Sequence, residues 1–316
     1  MRLKKVIYCL LLVLCLIISW TEIAQAEELP IDFKLDAGYC IDNLRWNIAG
    51  DSSGKNPNIL SDLSWSDIKI LQIYGLATIP LKESLFLQGS LNLGVIISSN
   101  NQDSDYLGDN RTEEFSRSNN SSNGDNVFGS SIAAGYYLTS GQKKFRLAPM
   151  IGYSFNRQML RMTDGYQTIN IDPDTGASGY TGPLSGLNSS YKASWSGPWL
   201  GANFSVNLSP KWTTFSDFDY HWVNYYGEGN WNLRDDLAHP MSFTHIATGN
   251  GYHWSAGVNF SPNSQFKLIL KFHSGVWSAG PGIDQVFGAN GDTGITRLNE
   301  VVWASQAVML TFYWSP

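Results

Sequence analysis

From residue 212 the chain alternates with a period of two. Trp212, Thr214, Ser216, Phe218, Tyr220 and Trp222 fall on one parity; Thr213, Phe215, Asp217, Asp219, His221 and Val223 fall on the other. Successive side chains of a β-strand point to opposite faces, so a strand here shows aromatics on one side and two carboxylates with an imidazole on the other. Two settings accept it. One is a soluble sandwich with the apolar face inward; the other is a membrane barrel with the apolar face toward lipid and the polar face toward the lumen.

The same alternation recurs. Leu85, Leu87, Leu91, Leu93 and Val95 oppose Gln88, Ser90 and Asn92, with Gly89 interrupting the apolar row. Phe145, Leu147, Ile151, Tyr153 and Phe155 oppose Arg146, Ser154 and Asn156, and Phe266, Leu268, Leu270 and Phe272 oppose Lys267, Lys271 and His273. Strands are predicted over residues 33–48, 68–79, 85–97, 127–138, 145–169, 191–208, 212–231, 244–260, 265–277 and 300–314. Short turns at 80–83, 140–142, 209–211 and 261–263 alternate with long polar connections through Gly54 to Pro57 and over 98–125, 172–190, 233–243 and 280–297.

Ten strands with four tight turns and five long loops match an up-and-down outer-membrane barrel, which has short periplasmic turns and long external loops. A sandwich with Greek-key connections has no reason to keep that rhythm. The predicted fold is all-β, a ten-stranded antiparallel transmembrane β-barrel with both termini on the periplasmic side. Arg146, Asp217, Asp219, His221, Lys271 and His273 then collect in the lumen, where both signs of charge can pair. A barrel this narrow is nearly filled by its own side chains, so an open diffusion channel is not the default. Trp195, Trp199, Trp212, Trp222, Trp254 and Trp277 are read as girdle residues at the membrane–water interfaces.

The first residues read as an address. Arg2, Lys4 and Lys5 precede an apolar stretch over 6–20, and Ala24-Gln25-Ala26 has the form of a cleavage site. Residues 1–26 are therefore taken as a cleaved signal peptide and residues 27–316 as the barrel with its external loops. No later apolar run is long enough for a spanning helix, and lipid cannot satisfy open backbone groups, so a membrane form must be a closed barrel. The chain is acidic at −6, and more so without its basic leader, which argues against nucleic acid as a partner. Cys9 and Cys15 leave with the leader, so Cys40 has no partner for an internal disulfide.

Candidate chemistry concentrates in the third connection, at Asp103-Ser104-Asp105-Tyr106. Carboxylates at i and i+2 on an extended segment share a face. They can hold and activate a water if an imidazole or acid faces them. The plainer reading is a solvated acidic loop, since Asp109, Glu113, Glu114 and Asp125 follow. Asn170, Asp172 and Asp174 lack the glycine position and twelfth ligand of a calcium loop and read as an Asp-Pro turn. No metal or cofactor is expected.

Across nearly the whole mature region the chain resembles the omptin family of outer-membrane endopeptidases, which are ten-stranded barrels. The resemblance is carried by Leu60-Ser61-Asp62-Leu63-Ser64-Trp65, Asp103-Ser104-Asp105-Tyr106, Ala134-Gly135-Tyr136-Tyr137, Ile151-Gly152-Tyr153 and His221-Trp222-Val223. Asn56-Pro57-Asn58-Ile59-Leu60-Ser61 and Trp222-Val223-Asn224-Tyr225-Tyr226-Gly227 are similar to a subgroup, the protochlamydia outer membrane proteins. The aromatic-rich end, Thr311-Phe312-Tyr313-Trp314-Ser315-Pro316, resembles the terminal signal read by barrel-assembly machinery, without its usual final Phe.

In omptins an acidic pair faces an Asp-x-His element across a water. The resemblance places the pair at Asp103 and Asp105, but the Asp-x-His positions fall on Gly229 and Trp231. Glycine has no side chain, and an indole only donates a hydrogen bond. Glu228, Asp235 and Asp236 lie nearby, and His239 and His245 are the histidines available for a relocated site. The expectation is an omptin-like, non-proteolytic barrel in the outer membrane of a Gram-negative cell, acting as a surface-exposed structural or binding protein with limited pore activity. Its expected partners are outer-membrane lipid and lipopolysaccharide, the assembly machinery, and a peptide ligand at the external loops. The rival readings are an endopeptidase using Asp103 and Asp105 with His239 or His245, and a porin.

Overall fold

The computed structural model describes residues 31–82, 84–122, 124–139, 144–263 and 265–314. The signal peptide, the core of the 140–142 turn and Ser315-Pro316 lie outside the described residues. The strands are β1 (Asp32–Ile48), β2 (Ser61–Lys82), β3 (Leu85–Gly108), β4 in two parts (Thr112–Ser122 and Asn126–Tyr136), β5 (Phe145–Asn170), β6 (Ser189–Ser209), β7 (Trp212–Asn230), β8 (Phe243–Phe260), β9 in two parts (Phe266–Ala279 and Gly282–Phe287) and β10 (Thr293–Trp314). Each pairs antiparallel with its sequence neighbour, and β1 pairs with β10 from Asp36↔Thr311 to Asn47↔Glu300, closing the ring. Closure leaves no open edge, as hydrocarbon requires.

The strands run longer than the apolar alternation suggested. Residues 98–125, expected as a loop, form the upper part of β3 and the first part of β4, joined by a turn at Asp109–Arg111. Residues 280–297 likewise form the second part of β9 and the start of β10. The reason is a change of surroundings. Lipid-facing positions must be apolar, but once a strand rises above the membrane its outer face meets water, and the greasy parity ends at Ile97 on β3 and Ile41 on β1. On β2 and β3 a bulge compounds the change. The register slips between Ser66 and Ile70, where Asp67 adopts φ 52°, so the inward parity of β3 passes from even (Gly94, Ile96) to odd (Ser99, Asn101).

On β7 the lipid-facing row runs from Trp212 to Trp222, ten residue steps. At about 3.4 Å per residue and a tilt of roughly 40°, that spans about 26 Å, against an expected apolar band of about 25 Å. Trp212 and Trp222 stand exposed at the two ends of this row, as girdle residues should, whereas Trp254, also exposed on the outer wall, pairs with Phe218 inside the band. Trp195, Trp199 and Trp277 do not: all three are buried inside the barrel. On β6 both parities carry apolar residues, and Trp195 and Trp199 share the inward one with Tyr191 and Ala193.

The lumen has two storeys. The lower one is a polar cavity of about 530 Å³. Arg146, Asp217, Asp219, His221, Lys271 and His273 all line it, as the alternation required. Charges pair there: Lys271 Nζ lies 3.0 Å from Asp36, and His253 Nδ1 lies 3.1 Å from Asp219 while its Nε2 lies 3.1 Å from His273 Nδ1. Aromatic rings form its ceiling. Trp277 stacks on Trp303 at 4.3 Å, and Trp303 reaches Trp195, which packs on Tyr225 at 4.4 Å. Above this layer the lumen is a packed apolar core of Leu44, Trp46, Leu63, Trp65, Tyr191 and Leu298.

Candidate functional site

The acidic pair stands on the part of β3 above the membrane. Leu63 of β2 and Ser118 of β4 flank Asp103, and Ser61 and Ser116 flank Asp105. Cross-strand neighbours share a face, so both carboxyls point inward with Leu63 and Trp65, over the top of the apolar core. Ser61 and Ser116 hydrogen-bond Asp105, and the Trp231 indole N–H is set against the Asp103 carboxyl. Burial pushes both carboxyls up from the ordinary range, Asp103 well up with the added charge of Asp105; Arg234 opposes the rise at both. Asp103 therefore keeps its proton into a range where a solvated carboxyl has lost it.

The facing wall is the upper end of β7. Gly229 pairs with Phe243 of β8 and Tyr191 of β6. A Cβ at Gly229 would run into the Phe243 ring. Phe243 packs edge-on against Trp231 at 4.7 Å, and the Trp231 backbone N–H donates to Ser242 Oγ at 3.0 Å. The glycine and the indole are thus one arrangement. Phe243 fills the space a side chain at 229 would need, and it also supports the Trp231 ring over Asp103.

Neither candidate histidine meets the acidic pair among the described contacts. His239 is exposed, with Nδ1 at 2.8 Å from Asn230 Oδ1. His245 is fully buried: its Nδ1 lies 2.8 Å from the Tyr191 hydroxyl, which in turn meets that of Tyr225. Its Nε2 lies 3.2 Å from Asp284 Oδ1, off the hydrogen-bonding direction, and Thr296 donates to the other Asp284 oxygen. The Asp284–His245–Tyr191 series has the residue types of a nucleophilic triad, but His245 is wedged edge-on against Trp46 at 4.7 Å, with no route for substrate.

Arg234 is the site residue that sequence reasoning passed over. It clamps Asp236 with two hydrogen bonds of 2.8 and 2.7 Å and places positive charge near Asp103 and Asp105. The rim is braced as well. The Asn58 backbone N–H donates to Asp109 at 2.7 Å, and Asn58 and Asn110 exchange two further hydrogen bonds. Asp172 accepts the backbone N–H groups of Asp174 and Thr175 and so closes its own turn, as an Asp-Pro turn should.

A family model described as Protochlamydia outer membrane protein matches residues 34–315. The chain belongs to this family. With the barrel fold, membership places it in the Gram-negative outer membrane, in contact with outer-membrane lipid. Among solved structures, the outer membrane protease OmpT from Escherichia coli superposes with a TM-score of 0.74 at 13% identity, covering 92% of this chain and 99% of that one. The fold of this Protochlamydia-family barrel is therefore omptin-like. The translocator domain of the autotransporter NalP from Neisseria meningitidis covers 98% of each chain but at a TM-score of 0.36 and 10% identity. No curated protein matches this chain.

Proposed function

We propose that this outer-membrane barrel is non-proteolytic and holds a peptide-like ligand at its extracellular cleft. The observation that carries the reading is Trp231. A water between the walls of the cleft needs a base opposite the acidic pair, and the group there is an indole that offers a proton and accepts none. Arg234 is permanently charged and cannot replace it. The braced rim around Asn58 supports a rigid, preorganised cleft, which lowers the ordering cost of binding. Pore activity is limited in this reading, because the Trp277–Trp303 layer stands between the lower cavity and the cell exterior.

The retained acidic pair, with burial and Asp105 pushing the Asp103 carboxyl up, favours a second reading in which a histidine swings in to complete a peptidase. One experiment separates the two. The refolded full chain is incubated with a mixed library of extended peptides, with cleavage followed by mass spectrometry and binding by equilibrium dialysis. Binding without cleavage is expected, weakened at least tenfold in Asp103→Ala. Cleavage that disappears in Asp103→Ala and in His239→Ala would overturn the non-proteolytic reading.

A further inference from the structure

The ring is closed where lipid requires it, but above the membrane β10 outruns its neighbour. Strand β1 ends at Ile48 beside Leu298, and the chain then turns away through Asp51–Gly54. The Asp51 carboxylate closes that turn, accepting the backbone N–H groups of Ser53 and Lys55 at 2.8 and 3.0 Å. Arg297 makes the last backbone contacts across this seam. Its carbonyl accepts from the Ala49 N–H at 2.9 Å, and its N–H donates to the Asp51 carbonyl at 3.2 Å. Beyond Arg297, β10 runs on to Thr293 with the second part of β9 on one side only.

Alternation fixes where the remaining backbone groups point. In an antiparallel pair, successive residues direct their N–H and C=O groups to opposite sides. Arg297 bonds toward β1, so Thr296 and Gly294 bond toward Asp284 and Val286 of β9, and Ile295 and Thr293 point away from β9. The far end of the hairpin agrees. Gly288 donates to Asp292 at 2.8 Å, while Phe287, opposite Thr293, directs its N–H to Ser242 and its C=O to Ala238. Among the described residues, no backbone hydrogen bond reaches Thr293 or Ile295 from the β1 side. Two N–H and two C=O groups therefore face the space where β1 would stand had it continued. Neither lysine nor proline, two usual protections of an open edge, stands on it. Its outward side chains are Thr293 and Ile295, the latter with 58% of its surface exposed. A Cβ on the intervening Gly294 would meet nothing within 4 Å, so the other face is clear too.

We propose that this edge binds an extended peptide by β-strand addition. The inference rests on the peptide-binding reading above and supplies its mode, main-chain pairing on β10. In ring order, β10 and the β1–β2 connection lie on the arc that joins the Trp231 wall to the Asp103 wall. The edge sits within the wall of the ring, with the β1–β2 connection and β3 beyond it. A second upright barrel cannot enter that wall, whereas a single extended segment can. The edge is two residues long, so it holds a short segment and does not seed a sheet. Side chains of the added strand alternate between faces. The ligand residue beside Ile295 shares its outer face, where a β-branched or aromatic side chain pairs best.

The test uses the full chain in lipid nanodiscs with short, blocked peptides rich in valine, threonine and tyrosine, and binding is read by equilibrium dialysis. A matched set carries N-methyl groups on alternate amides. Wild type should bind the first set and hold the second about tenfold more weakly, as for one or two lost main-chain hydrogen bonds. Ile295→Pro removes one edge N–H without breaking a ladder bond, which an edge strand tolerates. It should weaken binding by about the same tenfold factor and keep the heat-modifiable gel mobility of a folded barrel. Ile295→Thr retains the N–H and should bind as wild type does. The N-methyl comparison needs only wild type, so it decides even if the proline variant fails to fold. Equal binding of both sets, or undiminished binding by folded Ile295→Pro, would overturn strand addition; a loss confined to Asp103→Ala would then leave the cleft reading standing alone. A wild type that binds neither set would remove both. A wild-type dimer that Ile295→Pro dissolves, seen by native mass spectrometry, would give the edge to a second copy and overturn the proposal.

Discussion

The two storeys of the lumen are built on opposite rules. In the lower one the wall outside is apolar and the inside is polar; in the upper one the outside is largely polar and the inside is packed with tryptophan, tyrosine and leucine. Strand β7 crosses both. Its odd positions run Asp217, Asp219, His221 and then Val223, Tyr225, Gly227; its even positions run Phe218, Tyr220, Trp222 and then Asn224, Tyr226 and Glu228. The sign of the alternation reverses between Trp222 and Val223. The hydrophobic effect favours burial of apolar surface away from water, and along one strand the water-free side changes from outside to inside. One barrel therefore joins a membrane protein below to a water-soluble one above.

The contrast can be broken most strongly in the upper storey. Trp65 is almost fully buried and stacks on Tyr191 at 5.5 Å. Trp65→Ala should cost about 3–5 kcal/mol, the range for removing a large buried aromatic, read from urea unfolding in detergent micelles. The lower storey should respond to charge rather than volume. Asp36→Ala leaves the Lys271 ammonium without its 3.0 Å partner. It should cost about 1–3 kcal/mol, as for a buried group left unsatisfied, and Lys271→Met in the same chain should recover most of the loss. If the two sites respond alike, with no recovery in the double variant, the contrast between storeys fails.

A finer test is the pH dependence at the acidic pair. The Asp103 carboxyl binds its proton more tightly folded than unfolded, where its pKa is about 3.9. Below that value both states are protonated and nothing is lost. As pH rises from there toward the folded value, the unfolded chain releases its proton first and stability falls. Subtracting the unfolding free energies of Asp103→Asn from those of wild type should leave this downward slope, and a flat difference would remove the protonated carboxyl from the description.

Much of the membrane half was legible in the sequence, because lipid outside and polar lumen inside give a clean period of two. The alternation of Leu85 to Val95 and of Trp212 to Trp222 assigned faces that the structure keeps, and the six predicted lumen residues share one cavity. The extracellular half was less legible. In residues 98–125 the outer face is polar and the inner face mixes Ser99, Asn101 and Asp103, so a long hairpin has the composition of a loop. On β6 the inward tryptophans escaped because the alternation changes sign along the strand: Tyr191, Ala193 and Trp195 are the apolar parity above and face inward, while Leu200, Phe204 and Val206 are the apolar parity below and face outward. At the candidate site, counting from Trp222 located Gly229 and Trp231. That Phe243 ties them together depends on a pairing fourteen residues away along the chain, which no local pattern reveals.

The reversal of sign on β7 also fixes the vertical seat of the molecule. Sliding the barrel outward by one pair of residues would lift Trp222 from the interface into water, and sliding it inward would draw Asn224 into hydrocarbon. A thinner or thicker bilayer meets the same fixed marks, at a cost of fractions of a kcal/mol for each ångström of mismatch. The barrel carries its own depth gauge, and the acidic pair at Asp103 and Asp105 is held at a set distance above the lipid by where the apolar row of β7 ends at Trp222.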